Sequence, residues 1–133
     1  MSKKFNAAGL LVKFGQSVLL GRRSSACANL SGYWSMPCGA MDNGEEPIDT
    51  ARREFFEETG NAINEQIKFL TSFKMKNDGE FNVFYAESPQ LIFPSERALD
   101  SIEHDEWGYY RISNKSLPYP MTKETKKAIL MLE

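Results

Sequence analysis

The sequence predicts an α/β fold in which helices cover a mixed β-sheet. Three observations lead to this class. Apolar runs of strand length occur in pairs joined by short turns, other segments have apolar residues at helical spacing, and strand-like and helix-like segments alternate along the chain. The 133 residues are enough to bury a substantial core. No repeat, low-complexity tract or linker interrupts residues 1–133, so we expect one domain.

The first half is predicted to contain a β-hairpin, a loop and a helix. Ala7–Phe14 and Ser17–Gly21 are apolar runs separated by Gly15-Gln16, which favours a hairpin. The following segment, SSACANLSGYWSMPCGAMDNG, is rich in Gly, Ser and Asn and is typical of a loop. Pro47 suits a first helical turn and Gly60 suits the position after the last one. We therefore expect a helix between them.

The second half is predicted to contain a second hairpin, a loop, a strand and a terminal helix. The hairpin pairs Ile67–Met75 with Phe81–Ala86 around Asn77-Asp78-Gly79. The remaining segments are a loop over Ser88–Ile102 with a short helical turn at Ser95–Leu99, a strand over Trp107–Ile112, and a helix from near Thr122. Helical spacing of the apolar residues that follow Thr122 supports the last assignment.

Composition excludes several classes of function. A net charge of −2 gives no basic surface for duplex nucleic acid or for an anionic membrane. No apolar run approaches the roughly 20 residues of a membrane span, and no cleavage site follows the short N-terminal apolar stretch. Cys27 and Cys38 lack CxxC spacing, so we expect reduced thiols in a cytoplasmic protein and no zinc motif. The single histidine, His104, is predicted to be solvated in an acidic loop.

The predicted central helix has an apolar stripe beside an acidic edge. At about 100° per residue, Ala51, Phe55 and Thr59 lie within roughly 60° of Ile48 and can pack on a sheet. A neighbouring arc of roughly 100° contains Glu54, Glu57 and Glu58. Three converging carboxylates suit a hard cation such as Mg²⁺ or Mn²⁺. A solvated acidic helix face is the alternative, and the helix by itself leaves both open.

Residues 39–61 resemble the Nudix box. That signature is a Gly, a Glu, and then R-E-apolar-x-E-E-x-G at fixed gaps. The chain meets its glycine and charged positions with Gly39, Glu45, Arg53, Glu54, Glu57, Glu58 and Gly60. Two departures are Asn61 at the final apolar position and Cys38-Gly39 in place of the usual Gly-Gly. The flanking segments AAGLLV, SVLLGRR, GYWSMPCGAM, EHDEWGYYRI and SLPYP also resemble the family, so the resemblance to MutT-like Nudix hydrolases spans the chain.

The resemblance implies a sheet sandwiched between helices (α/β/α) and metal-dependent hydrolysis of a nucleoside diphosphate derivative by attack of water on phosphorus. It assigns Mg²⁺, with Mn²⁺ as a substitute, to Glu54, Glu57, Glu58 and the backbone carbonyl of Cys38. Arg53, Glu45 and Gly39 match the positions that brace these ligands. A late glutamate commonly acts as ligand or general base in the family. Glu106 is the predicted one and Glu103 the alternative.

Substrate contacts are predicted from residue chemistry. Arg22 and Arg23 can meet phosphates or stay in solvent, and Tyr33, Phe84 and Tyr119 can stack on a base or belong to the core. KMKNDGEFN, after the box, lacks the proline and tyrosine that mark ADP-ribose and dinucleoside polyphosphate relatives. We therefore expect a nucleoside di- or triphosphate as substrate and a monomer or homodimer. The alternatives are dinucleoside polyphosphates, nucleotide sugars, 5′-phosphorylated RNA, or a non-catalytic nucleotide-sensing module.

Overall fold

The computed structural model describes residues 5–27, 29–95, 103–113 and 117–132, and their fold is a mixed sheet with a helix on each face. The elements in chain order are β1 (Ala7–Phe14), β2 (Ser17–Arg23), β3 (Trp34–Ser35), β4 (Cys38–Ala40), α1 (Pro47–Thr59), β5 (Lys68–Lys74), β6 (Glu80–Glu87), β7 (His104–Arg111) and α2 (Lys123–Leu130). The predicted α/β class is confirmed. The expected helical turn at 95–99 lies almost entirely outside the described residues.

β1 is the centre of the sheet. It pairs in parallel with β6 along 7–13 and antiparallel with β4 along 7–9, whereas it meets β2 only beside the turn at 13–14. β2 continues instead with β3 and β7, and β5 completes the other edge by pairing with β6. Both predicted hairpins are therefore present, and the parallel β1–β6 pair makes the sheet mixed, as expected.

Each face of the sheet has its own apolar core, because side chains alternate between the two faces of a strand. One core, which we call the α1-side core, joins Leu10, Leu19 and Phe84 of the sheet to Ala51 and Phe55 of α1. The other core, the α2-side core, consists of Leu11, Val18, Leu20, Trp34, Met36, Val83, Ile112, Ala128 and Ile129. The sheet is thus sandwiched between α1 and α2.

α1 begins and ends where the sequence predicts. Pro47 occupies the first turn, where no hydrogen-bonded N–H is needed, and the Asp49 carboxylate accepts the Glu46 N–H at 3.2 Å. Gly60 ends the helix with φ of 74°, a left-handed conformation that glycine adopts at no steric cost. Neither helix among the described residues has the length and apolarity needed to cross a bilayer.

Candidate active site

The three glutamates of the α1 edge lie side by side but differ in exposure. The side chains of Glu57, Glu54 and Glu58 are 23%, 12% and 2% exposed, respectively. The acidic edge is therefore not a solvated face, because its members become progressively buried towards the sheet. Burying carboxylates in this way is costly unless each finds a partner.

Arg53 is the partner that α1 itself supplies. Its Nη1 donates to Glu54 Oε1 at 2.9 Å and to Glu57 Oε1 at 3.0 Å. Its Nε and Nη2 donate to the two oxygens of Glu45 at 2.8 and 3.1 Å, and Nη2 also donates to the Ala40 carbonyl at 2.9 Å. One planar guanidinium therefore fixes three carboxylates relative to one another and to β4.

Glu45 joins the loop before α1 to the helix. Its Oε1 accepts the Asp42 N–H at 2.9 Å and the Thr50 hydroxyl at 2.8 Å, in addition to Arg53. The hydrogen bonds from Arg53 are the largest cause that lowers the pKa of Glu45 to about 2. The same pair raises the pKa of Arg53, so both groups stay charged at neutral pH.

Gly39 leaves room for Glu54. A Cβ built at Gly39 would overlap the carboxyl group of Glu54, with Oε2 only 2.6 Å away. Any side chain at this position would force the Glu54 carboxyl group to move, which gives the predicted bracing position a physical reason.

Glu58 lies between β4 and β7. Its Oε2 accepts the Cys38 N–H at 3.1 Å, and its Oε1 lies 3.5 Å from His104 Nε2. Burial raises the pKa of Glu58 well above its usual value, and the charge of Glu54 raises it further. Burial also raises the pKa of Glu54. Two adjacent acids that are costly to ionise suit a site where a divalent cation supplies the compensating charge.

Cys38 contributes backbone rather than a reactive thiol to this region. Its side chain packs against the α2-side core, and Sγ lies 3.8 Å from the Ser35 hydroxyl. Burial, followed by the charge of Glu58, raises the pKa of the thiol to about 12. The thiol is therefore protonated at neutral pH and is a poor nucleophile. Cys27 and Cys38 are both free, as predicted.

The late acidic segment is arranged differently from the prediction. Glu106 pairs with Arg22 at 3.2 Å, and Arg22 lies over the Trp34 ring, which belongs to the α2-side core. Trp107, the next residue, packs against the α1-side core, so strand alternation turns Glu106 away from α1. Glu103 lies instead on the α1 side, where its carboxylate is near Glu58. The geometry thus favours the alternative, Glu103.

His104 is buried, and the prediction of a solvated histidine is wrong. Its side chain is 2% exposed, and its ring packs on Trp107 with centroids 4.6 Å apart. Burial lowers its pKa to about 4, aided by the charge of Arg23. No local sequence signal could have found it, because residues three positions apart in a regular strand face opposite sides, and His104 shares the face of Trp107 only through a bulge in the pairing with β2.

The predicted substrate residues fall into two groups. Phe84 belongs to the α1-side core and is 6% exposed, so its ring cannot stack on a base and this prediction is corrected. Backbone hydrogen bonds bring the segments of Arg23, Tyr33 and Tyr119 together. The Arg23 N–H donates to the Tyr33 carbonyl, and the N–H of Trp34, which follows Tyr33, donates to the carbonyl of Pro120, which follows Tyr119. Tyr119 is 92% exposed.

Arg22 is already committed to ion pairs. Its Nε donates to Asp105 Oδ1 at 2.7 Å, and Nη1 lies 3.2 Å from Glu106. Arg23 Nε donates to the Asn29 carbonyl at 2.9 Å. Of the two arginines, Arg23 lies beside the acidic site, because it pairs with His104 across β2 and β7, whereas Arg22 pairs with Glu106.

Comparisons with known proteins agree on the family. The NUDIX domain model matches residues 3–130. An RNA pyrophosphohydrolase of Bartonella bacilliformis is 32% identical in an alignment 118 positions long, and the alignment spans 71% of this chain and 69% of that protein. An RNA pyrophosphohydrolase of Bartonella quintana is 47% identical over 79 residues, covering 56% of this chain and 40% of that protein.

Solved structures share the fold. A MutT NUDIX hydrolase from Burkholderia pseudomallei has a TM-score of 0.81 at 23% identity and covers 99% of this chain and 100% of that chain. The NUDIX domain of Shewanella oneidensis NrtR, complexed with ADP ribose, has a TM-score of 0.75 at 14% identity and covers 99% and 88%, respectively. At these identities the likeness is one of fold.

Proposed function

This chain belongs to the NUDIX domain family, and from that premise we propose that it hydrolyses the diphosphate linkage of a nucleoside di- or triphosphate, with a divalent metal ion and with water attacking phosphorus. It is a pyrophosphohydrolase that acts on acid anhydrides of phosphorus. The observation that carries the proposal is the guanidinium of Arg53, which holds Glu45, Glu54 and Glu57 in one arrangement beside the buried Glu58.

The residues present fit a magnesium or manganese ion. Carboxylate and carbonyl oxygens are the donors that these cations prefer. Burial raises the pKa of Glu58, and it raises the pKa of Glu54 even though Arg53 contacts that carboxylate. The ligands we propose are Glu54, Glu57, Glu58 and the backbone carbonyl of Cys38, with the carboxylate of Glu103 beside them. When bound, the metal neutralises the diphosphate and lowers the pKa of a coordinated water.

The protein's own side chains do the remaining work. Arg53 and Glu45 keep the α1 carboxylates in place before substrate arrives, so that little reorganisation is needed on binding. Glu103 takes over the role that the sequence assigned to Glu106, as a carboxylate that accepts a proton from the attacking water. Glu106 keeps Arg22 in its ion pair on the other face of the sheet.

Two substrate classes remain in the proposal. A free nucleoside di- or triphosphate is the first, because the segment after the box lacks the residues that mark other classes. A 5′-triphosphorylated RNA end is the second, supported by the names of the curated relatives. An unpaired RNA end can stack on an exposed aromatic ring, and Tyr119 supplies one. A nucleotide-sensing module without turnover is less well supported, because all the box glutamates are present.

A substrate panel tests the proposal. The metal-free protein is mixed with nucleoside triphosphates, nucleotide sugars, dinucleoside polyphosphates or a 5′-triphosphorylated RNA oligonucleotide, with or without Mg²⁺, and released phosphate and pyrophosphate are measured. We expect Mg²⁺-dependent turnover of a triphosphate. A kcat/KM at least about tenfold higher for the RNA than for free nucleotides would select the second class. No turnover of any compound with Mg²⁺ or Mn²⁺ would overturn the proposal. Cytoplasmic location and oligomeric state stay predictions.

A further inference from the structure

Thr50 is a buried threonine of α1 whose hydroxyl is directed at a carboxylate rather than at the helix backbone. A threonine hydroxyl inside a helix commonly donates to the carbonyl four residues earlier, and Thr59 does so, with Oγ1 2.7 Å from the Phe55 carbonyl oxygen. For Thr50 the corresponding distance, to the Glu46 carbonyl oxygen, is 3.5 Å, whereas Oγ1 donates to Glu45 Oε1 at 2.8 Å. The shorter hydrogen bond of Thr50 therefore leaves the helix and reaches the loop before it.

The Thr50 hydroxyl contacts one of the two oxygens of Glu45. That oxygen, Oε1, also accepts the Asp42 N–H at 2.9 Å and Arg53 Nη2 at 3.1 Å, while Oε2 accepts Arg53 Nε at 2.8 Å. Asp42 lies in an exposed loop, whereas Thr50 is fully buried and its β-branched side chain has few rotamers. Thr50 therefore gives the Glu45 carboxylate a fixed point on α1.

The orientation of Glu45 is transmitted to the acidic edge through Arg53. The guanidinium is planar and rigid, and it binds Glu45 through Nε and Nη2 while Nη1 donates to Glu54 at 2.9 Å and to Glu57 at 3.0 Å. A turn of the Glu45 carboxylate would turn the whole guanidinium and move Nη1 relative to both glutamates. The Nudix box specifies no residue between Glu45 and Arg53, so the signature does not imply this role for Thr50.

We propose that Thr50 is a positioning residue for hydrolysis, whose hydroxyl sets the orientation of Glu45 and, through Arg53, that of Glu54 and Glu57. The inference rests on the proposed function for the task of those two glutamates, but the chain of hydrogen bonds from Thr50 to them is present without metal or substrate. A role in packing would depend on the methyl group of Thr50, whereas positioning depends on its hydroxyl.

Two substitutions separate the hydroxyl from the methyl group. Thr50→Val keeps the shape of the side chain and removes the hydroxyl, whereas Thr50→Ser keeps the hydroxyl and removes the methyl group. Thr59→Val is the matched control, because it also removes a buried hydroxyl from α1, but one that donates to the backbone. A merely structural role predicts the larger effect for Thr50→Ser, and positioning predicts it for Thr50→Val.

Hydrogen exchange of the Arg53 Nε–H with water, followed by nuclear magnetic resonance in the metal-free protein, is the first measurement. Its signal is assigned by its absence from Arg53→Lys. Thr50→Val should accelerate this exchange at least about tenfold, because a hydrogen bond to a charged group is lost. Thr50→Ser and Thr59→Val should exchange at the wild-type rate. A wild-type rate in Thr50→Val, or the same acceleration in Thr50→Ser, would overturn the proposal.

Metal affinity and kinetics complete the test. Thr50→Val should weaken Mn²⁺ binding in calorimetry at least about tenfold, and Thr50→Ser should restore it. On the best substrate of the panel at saturating Mg²⁺, Thr50→Val should lower kcat at least about tenfold and leave KM unchanged, because Thr50 does not touch substrate. Wild-type kcat and Mn²⁺ affinity in Thr50→Val would overturn the proposal and leave the proposed function standing. Failure of the proposed function would appear instead as absence of turnover by the wild type.

Discussion

Glu45→Gln removes the carboxylate that anchors Arg53 and should destabilise the protein in a pH-dependent way. The pKa of Glu45 is lowered from 4.5 to about 2 in the folded state. At about 1.4 kcal/mol per pKa unit, this lowering sets an upper limit of about 3 kcal/mol on what the Glu45 carboxylate contributes to the free energy of unfolding. The side chains of Glu45 and Arg53 are 19% and 28% exposed, so solvent screening reduces the expected loss to about 1–2 kcal/mol at pH 7.

The direction of the pH dependence follows from the lowered pKa. A carboxylate whose folded pKa lies below its unfolded value contributes stability above the unfolded value, and that contribution is lost as the pH falls through the folded one. The difference between the wild type and Glu45→Gln should therefore be constant above about pH 5. It should shrink as the pH falls from 4.5 towards 2.

Urea unfolding followed by circular dichroism, in EDTA at pH 7, 5 and 3, measures this difference. The slope of the free energy of unfolding against urea should be the same for both proteins, so that midpoints report stability. Glu80→Gln, at an exposed position, is the control and should lie within about 0.5 kcal/mol of the wild type. A difference below about 0.5 kcal/mol at pH 7, or one that does not shrink at pH 3, would refute the reasoning.

Three further predictions concern the site. Gly39→Ala should displace the Glu54 carboxylate and weaken Mn²⁺ binding by at least about tenfold in calorimetry; unchanged affinity would show that Glu54 does not hold the ion. Glu58→Gln should stabilise the metal-free protein by about 1 kcal/mol at pH 8, because it removes a buried charge. This gain should vanish below about pH 4.5, where the unfolded chain also binds the proton, and a gain independent of pH would contradict it. Tyr119→Ala should raise KM about fivefold or more with thermal stability unchanged, since the ring is exposed; an unchanged KM would exclude stacking there.

Elements with a local physical cause were predictable from the sequence. α1 has bounds set by Pro47 and Gly60, whose backbone preferences act without tertiary context. The hairpins follow from apolar runs on either side of short turns. The contacts of Arg53 with Glu45 and the α1 glutamates agree with the bracing role that the Nudix box implied.

Features that depend on pairing between distant segments were not predictable. β3 and β4 have two and three residues, respectively, which is too few to show an alternation of apolar and polar residues. They form because they pair with β2 and β1. The bulge in β7 decides which late acidic residue faces α1, and nothing in EHDEW encodes it locally. Phe84 was assigned to the substrate because an isolated aromatic residue does not reveal which face of its strand is buried.

The rate of Mg²⁺-dependent hydrolysis by the wild type and by Glu57→Gln, measured side by side on the best substrate of the panel, tests the central claim most directly. Glu57 lies on the accessible side of the acidic edge, held by Arg53 at 3.0 Å. We predict that the variant stays folded and loses more than about 100-fold in kcat/KM, because loss of a ligand should exceed the 10- to 100-fold typical of outer-shell partners. A folded Glu57→Gln protein with the wild-type rate would contradict the account, because the α1 carboxylates would then not carry the reaction.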